Sequence, residues 1–253
     1  MIIIGMGRVG QGISRRAGRL GIQHTTIDRD GTWSAIDPSG SGPILVAVNA
    51  PDIVDVARKV PLERQADLVL VQNGMIDPAL ESIGLAQNTR GLLYFAVPSR
   101  GVEPQPGGVS LFTGPHASEV TSWFQSIDLQ ARPVDRLSFV NEMMSKLIWN
   151  CVFGLLCDVH DCSVGALCAS RMDDVSGLIT ELTTMSNMAG GTTLDAEDVC
   201  RSLCEYSLSI PKYQGTMKQW SWRNGWFVAA AAETGEPCAL HAKFLVGRAP
   251  EDS

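Results

Sequence analysis

"MIIIGMGRVG", residues 1–10, sets three isoleucines directly before a Gly5-x-Gly7-x-x-Gly10 run. This spacing carries meaning when a short apolar strand feeds a glycine-rich turn that opens a helix. Gly5 permits the tight turn, Gly7 lets the backbone approach a pyrophosphate, and Gly10 allows the helix to pack closely on the strand. Phosphates would then meet unpaired N–H groups and the positive end of the helix dipole. Gly5, Met6, Gly7, Arg8, Val9 and Gly10 are therefore candidate cofactor contacts; the plainer alternative is a glycine turn that serves only folding.

Working outward, Val9, Ile13, Ala17 and Leu20 recur at helical spacing, and Gly21 is a suitable stop. Further strands are expected at 23–27, 44–48, 68–71 and 92–96, with helical stretches between them, which implies parallel strands and crossover helices. Residues 98–114 carry three prolines and four glycines around an expected hairpin, and a helix follows at 116–127. From Leu137 strand signals give way to helices at about 139–158, 173–189, 195–208 and 224–234, the third with Asp195 and Asp198 arranged as a cap. The fold class is α/β: a Rossmann-type parallel-sheet domain, 1–136, followed by an all-helical domain, 137–253.

The second strand runs into "IDRDG" at 27–31. Asp28 stands where a carboxylate accepts from a ribose 2′-OH and repels a 2′-phosphate, whereas Arg29 could grip that phosphate. The two side chains point to opposite cofactors, NAD(H) and NADP(H), and either could be a solvated loop charge.

A formal net charge of −7 argues against a nucleic-acid partner, which calls for a basic patch. No apolar run reaches bilayer-spanning length and the first residues do not read as a signal peptide, so a cytoplasmic protein without a membrane partner is expected. Seven cysteines, an odd number, are expected to be reduced thiols. Cys157, His160, Cys162 and Cys168 lack a recognised zinc spacing, and Cys200 with Cys204 only share a helix face; no metal site is assigned.

"SKLIWNCVFGLL", 145–156, places Lys146 and Asn150 inside an apolar run. Glu142, Lys146 and Asn150 share one helix face while Leu147, Ile148, Val152 and Leu155 occupy the others. A Glu142–Lys146 surface pair is the ordinary explanation. A buried ammonium, however, needs partners or a purpose, and beside a dinucleotide domain it can donate a proton to a substrate carbonyl oxygen.

Taken together, these stretches resemble the ketopantoate reductases (2-dehydropantoate 2-reductases). "KLIWN" is similar to that family's K-L-x-x-N helix, "GMGRVG" to its glycine loop, "VQNGM" at 71–75 to its Q-N-G strand end, "SVGAL" at 163–167 to its G-x-L, and "NG" at 224–225 to the start of its last long helix. The resemblance implies NAD(P)H-dependent reduction of a small 2-keto acid, ketopantoate to pantoate in pantothenate biosynthesis, in a cleft between the domains. It favours NADP(H), through Arg29. It makes Lys146 the general acid, puts Asn73 between cofactor and substrate, gives Asn150 and Thr216 to the substrate, and leaves a homodimer through the helical domain open.

Departures accompany the likeness. Asn49 replaces a cofactor-side lysine, Gly154 replaces a substrate-facing asparagine, and Gln219 replaces an active-site glutamate in a shortened segment. Glutamine can still hydrogen-bond a hydroxyl but cannot titrate. Trp220, Trp222 and Trp226 in that segment are expected to cover the helical core or a dimer contact. Two other functions fit the same residues: a cofactor-binding sensor without chemistry, motivated by these departures, and a 3-hydroxyacid dehydrogenase, which also carries a lysine helix.

Overall fold

The structure, a computed structural model, describes residues 1–248. It divides into two compact units, Met1–Phe139 and a second beginning at Val140.

The first unit runs β1 (Ile2–Ile4), α1 (Arg8–Arg19), β2 (Thr25–Ile27), β3 (Ile44–Val46), α2 (Ile53–Lys59), β4 (Leu68–Leu70), α3 (Asp77–Ser82), β5 (Thr89–Leu92), β6 (Phe95–Ala96), β7 (Gln105–Pro106), β8 (Ser110–Thr113), α4 (Ala117–Ser126) and β9 (Ala131–Pro133). Seven strands form one sheet in the order β2-β1-β3-β4-β5-β8-β9, with β1 to β5 mutually parallel and β8 antiparallel to β5. Ile44, Leu45 and Val46 have no exposed surface, as expected of a strand covered on both faces. Ile3, Leu45, Val69 and Phe112 form a core with Ile13 and Ala17 of α1 and Val120 and Phe124 of α4.

The expected strand at 92–96 is two elements. The main-sheet strand starts earlier, at Thr89, and takes in Arg90, whose buried guanidinium donates to Asp77 at 2.6 Å. A charged residue hidden in a strand breaks the apolar pattern, so the spacing shifted the expectation toward Leu92. Phe95–Ala96 pairs instead with Gln105–Pro106 in a separate two-stranded sheet, and β8 returns to pair with β5. The hairpin expected at 98–114 is therefore a small ribbon followed by a main-sheet strand. β9, whose sequence is Ala-Arg-Pro, was not expected: it is a short edge strand, where proline is tolerated.

Helix α1 packs tightly behind its glycine turn. A methyl group on Gly10 would collide with the carbonyl oxygen of Gly5. Gly10→Ala is expected to cost about 1–3 kcal/mol, the range for overpacking, readable as a lower urea midpoint.

The second unit is helical. The long helix α5 (Arg136–His160) starts in the first unit and is followed by α6 (Val164–Ser170), α7 (Met172–Ala189), α8 (Ala196–Ser209), α9 (Asn224–Thr234) and α10 (Ala239–Leu245). Met144, Ile148, Cys151, Val152, Phe153, Leu155 and Leu156 have no exposed surface, so α5 is buried on nearly every side and shows little amphipathic signature. Asp195 caps α8, its Oδ1 accepting from the backbone N–H of Glu197 and Asp198 at 3.0 Å, worth about 1 kcal/mol. Glu181 of α7 accepts from the first amides of α10, Leu240 at 2.9 Å and His241 at 2.7 Å. Helices α6 and α10, neither of them among the expected helices, are seven residues each, too short for periodicity to declare. Among the described residues no single helix is long and apolar enough to cross a membrane.

Candidate active site

In the first unit every candidate cofactor residue lies just beyond the carboxyl end of a parallel strand. The chain passes from β1 outward to β2 and then returns to the other side of β1 as β3, so a topological switch point falls between β1 and β3. That crevice is where open α/β sheets bind ligands. The Gly5–Gly10 turn opens there.

The turn's geometry follows from three local constraints. Gly5 sits at φ +96, its amide donates to Ile27 O at 2.8 Å, and a Cβ on it would come within 2.7 Å of Val48 Cγ1. Only glycine suits that position. Gly7, by contrast, is the N-cap of α1 in extended geometry, and a Cβ there would meet nothing within 4 Å. The fold itself does not require glycine at 7, which leaves open space above the helix start. No side chain caps α1 and no acidic residue occupies its first turn, so its amides and dipole are available to a phosphate. These features fit a pyrophosphate of a dinucleotide.

Beyond β2, Asp28 and Arg29 are exposed together with Asp30. Asp28 is turned into the 28–31 bend, with its Oδ1 only 2.8 Å from the place a Gly31 Cβ would take. Beyond β3, Asn49 is exposed and precedes the short turn Ala50–Asp52 without capping it through its side chain. Beyond β4, Asn73 is exposed, and the chain turns at Gly74 with φ +93. Sequence reasoning passed over the neighbouring Gln72, which is 8% exposed. Its Nε2 donates to Val46 O at 2.8 Å and Val48 O at 3.1 Å, fixing the end of β3 behind the Gly5 turn, and its Oε1 is buried without a partner. The signal was a polar residue immediately after "LVLV".

In the second unit Lys146 and Asn150 lie one turn apart on α5. Asn150 Nδ2 donates to the backbone carbonyl of Lys146 at 2.7 Å, so this amide braces the main chain under the lysine. Burial, and then the positive charge of Arg223, pull the Lys146 ammonium down to about 8. Arg223 is itself lowered by burial, and its Nε is buried without an acceptor among the described residues. This arginine, directly before the "NG" of α9, was read past within the tryptophan cluster.

The segment before α9 explains Gly154. A Cβ there would lie 3.0 Å from Thr216 O, and one on Gly215 would lie 2.8 Å from Phe153 O, so the 215–216 backbone is laid directly on α5. Met217 N donates to Asp158 Oδ2 at 2.7 Å and holds it. The main chain thus fills the place a longer side chain at 154 would need. Thr216 and Gln219 are exposed, and Gln219 adopts a left-handed conformation, φ +52 and ψ +52. Trp220 covers Gly225, its Nε1 2.8 Å from the place of a Cβ, and Trp226 packs on Phe227 with ring centroids 4.8 Å apart. Asn224 is 2% exposed and its Oδ1 receives the His241 ring at 2.9 Å, giving the "NG" asparagine a structural role.

All seven cysteines are unbridged. Burial pushes the thiol of Cys204 up to about 12 and that of Cys238 up to about 11, the opposite of activation. Among the described residues no group of three or more His, Cys, Asp or Glu is placed to hold a metal ion.

No family model matches the chain, and no curated protein sequence does. Solved structures do. A PanE/ApbA family ketopantoate reductase from Ralstonia eutropha JMP134 superposes with a TM-score of 0.76 at 20% identity, over 97% of this chain and 98% of that one. A dimeric ketopantoate reductase from Staphylococcus aureus gives 0.74 at 14% identity, over 97% and 96%. D-mandelate dehydrogenase, solved with NADH and anilino(oxo)acetate, gives 0.75 at 12% identity, over 96% of each chain. The chain has the fold of these proteins along nearly its whole length.

Proposed function

We propose that the protein is a nicotinamide-dinucleotide-dependent reductase of a small 2-keto acid, with Lys146 as the proton donor. The observation that carries this reading is the lysine: an ammonium lowered to about 8 on a core helix, in a chain whose other unit presents an uncapped glycine turn at a sheet switch point. A general acid works best with a pKa near the operating pH.

When bound, the reduced nicotinamide supplies the hydride. The turn at Gly5–Gly10 would hold the pyrophosphate through backbone N–H groups, while Asn49 and Asn73, beyond the adjacent strands β3 and β4, would contact the cofactor's inner half. Lys146 would hydrogen-bond the keto oxygen, stabilise the negative charge that develops on it, and deliver a proton from Nζ. Asn150 keeps the backbone of Lys146 in place and offers Oδ1 as an acceptor, and Thr216 and Gln219 would contribute a hydroxyl and an amide to the substrate.

Among 2-keto acids, 2-dehydropantoate is the first candidate, supported by the ketopantoate reductase neighbours. The test is nicotinamide oxidation followed with 2-dehydropantoate and a panel of 2-keto acids. No turnover on any of them, with the cofactor still bound, would favour a cofactor-binding protein without chemistry; oxidation of 3-hydroxy acids would favour a 3-hydroxyacid dehydrogenase. The resemblance at Arg29 favours NADP(H), against which Asp28 and Asp30 set two carboxylates. Asp28→Asn is expected to shift the NADPH-to-NADH affinity ratio toward NADPH by roughly fivefold, since one nearby charge is worth on the order of 1 kcal/mol. Side-by-side calorimetry of both cofactors reads the ratio. A homodimer through the second unit is part of this reading, supported by the dimeric neighbour, and light scattering tests it.

A further inference from the structure

Arg223 occupies a position that folding alone disfavours. It stands immediately before α9, a helix whose first turn holds no acidic residue and whose N-terminus no side chain caps. A cation at that end opposes the helix dipole. Among the described residues, the groups acting on its charge are Cys151 and Tyr213, neither a carboxylate, and Nε is buried without an acceptor. Lys146 lies within electrostatic reach, close enough for the arginine to depress it. The helices that carry the two residues approach one another at Gly190, which Met144 Cε of α5 and the Trp226 ring of α9 both crowd, the ring at 3.4 Å from the place of its Cβ.

Two cations partly withdrawn from water beside a helix N-terminus repel one another, and an anion brought between them removes that cost. A 2-keto acid has the matching shape, because its carboxylate is bonded directly to the keto carbon. The keto oxygen offered to Lys146 therefore comes with a carboxylate on the carbon next to its own. The guanidinium fork suits a carboxylate, whereas the ammonium is a point donor suited to a single oxygen.

We propose that Arg223 binds the substrate carboxylate beside Lys146, making the protein selective for 2-keto acids over uncharged ketones. This rests on the reductase reading and adds to it the group that recognises the acid.

The test compares a 2-keto acid with its neutral 2-keto amide, together with binding of oxamate, a 2-keto acid mimic that resists reduction, to the cofactor-loaded protein. Losing a charge-assisted contact is worth roughly 10- to 100-fold. Arg223→Ala should reduce the acid-to-amide ratio of kcat/KM by that factor, mainly through KM, and weaken oxamate at least tenfold, with Arg223→Lys recovering part of both. Arg223→Gln, which keeps the stem, guards against misfolding of the alanine variant. An unchanged ratio in an active protein would overturn the assignment while leaving the reductase reading intact. If the wild type reduces nothing, oxamate decides alone: binding weakened by Arg223→Ala supports the anchor, and undiminished or absent binding refutes it.

Discussion

Replacing Lys146 by methionine should nearly abolish turnover and, at the same time, make the protein more stable. Methionine keeps the length and apolar stem of the side chain, a volume-conserving change that disturbs packing little. Loss of a general acid lowers kcat by about 10²- to 10⁴-fold. The stability gain follows from linkage. The lysine titrates near 8 in the folded chain against an ordinary value of 10.5. Between those values the unfolded chain holds the extra proton, so stability rises with pH across about 8 to 10.5. Below 8 the folded protein carries the full cost of keeping the ammonium charged. Removing the charge at pH 7 should recover about 1–3 kcal/mol, the upper figure reduced because the side chain retains some exposure. Urea unfolding and initial rates on one preparation check both halves. A methionine variant that is inactive but destabilised would mark Lys146 as a structural residue, and one that is active would end its assignment as proton donor. The same titration predicts that wild-type activity falls as pH rises through about 8.

That contradiction between local stability and retained charge is also why Lys146 could be found from sequence: a lysine in an apolar helix violates the expected pattern, and such violations gather at functional sites. The glycine turn was readable because part of its requirement is local: Gly5 turns at φ +96, and Gly10 must lie against the carbonyl of Gly5 five residues earlier. What escaped was set by tertiary contact. Arg90 enters a buried strand because Asp77 is there to receive it, and Gln72 is buried because the ends of β3 offer two carbonyls. Gly154 reads as a missing amide in the sequence, yet it is the surface on which Thr216 is laid. Arg223 has no motif of its own; it draws notice only because, among the described residues, no carboxylate is one of the groups acting on its charge, which no linear pattern records.

The second large effect is expected in acid. His241 on α10 is 1% exposed, and burial lowers its pKa to about 4 from an ordinary 6.5. In its neutral form the ring donates from Nε2 to Asn224 Oδ1 at 2.9 Å and lies edge-on to Phe227, with centroids 6.0 Å apart. The unfolded chain takes up the proton first as pH falls. The stability that the neutral ring represents is therefore present above 6.5 and lost progressively between 6.5 and 4, up to about 3 kcal/mol. Hydrogen bonds hold the carboxylates of Asp37, Glu103 and Asp135 below their ordinary values of 3.8, 4.5 and 3.8, so their contribution to stability is lost only as pH falls below those ordinary values. The window from 6.5 to 4.5 thus isolates the histidine. Urea unfolding at those two pH values should show a drop of about 2–3 kcal/mol in the wild type. His241→Gln, which retains an N–H donor for Asn224 but cannot take up a proton, should be less stable at neutral pH and nearly flat across the window. If the glutamine variant shows the same acid drop, the charge that unfolds the second unit resides elsewhere. A flat profile would instead tie the start of α9, and with it the backbone position of Arg223, to one uncharged imidazole.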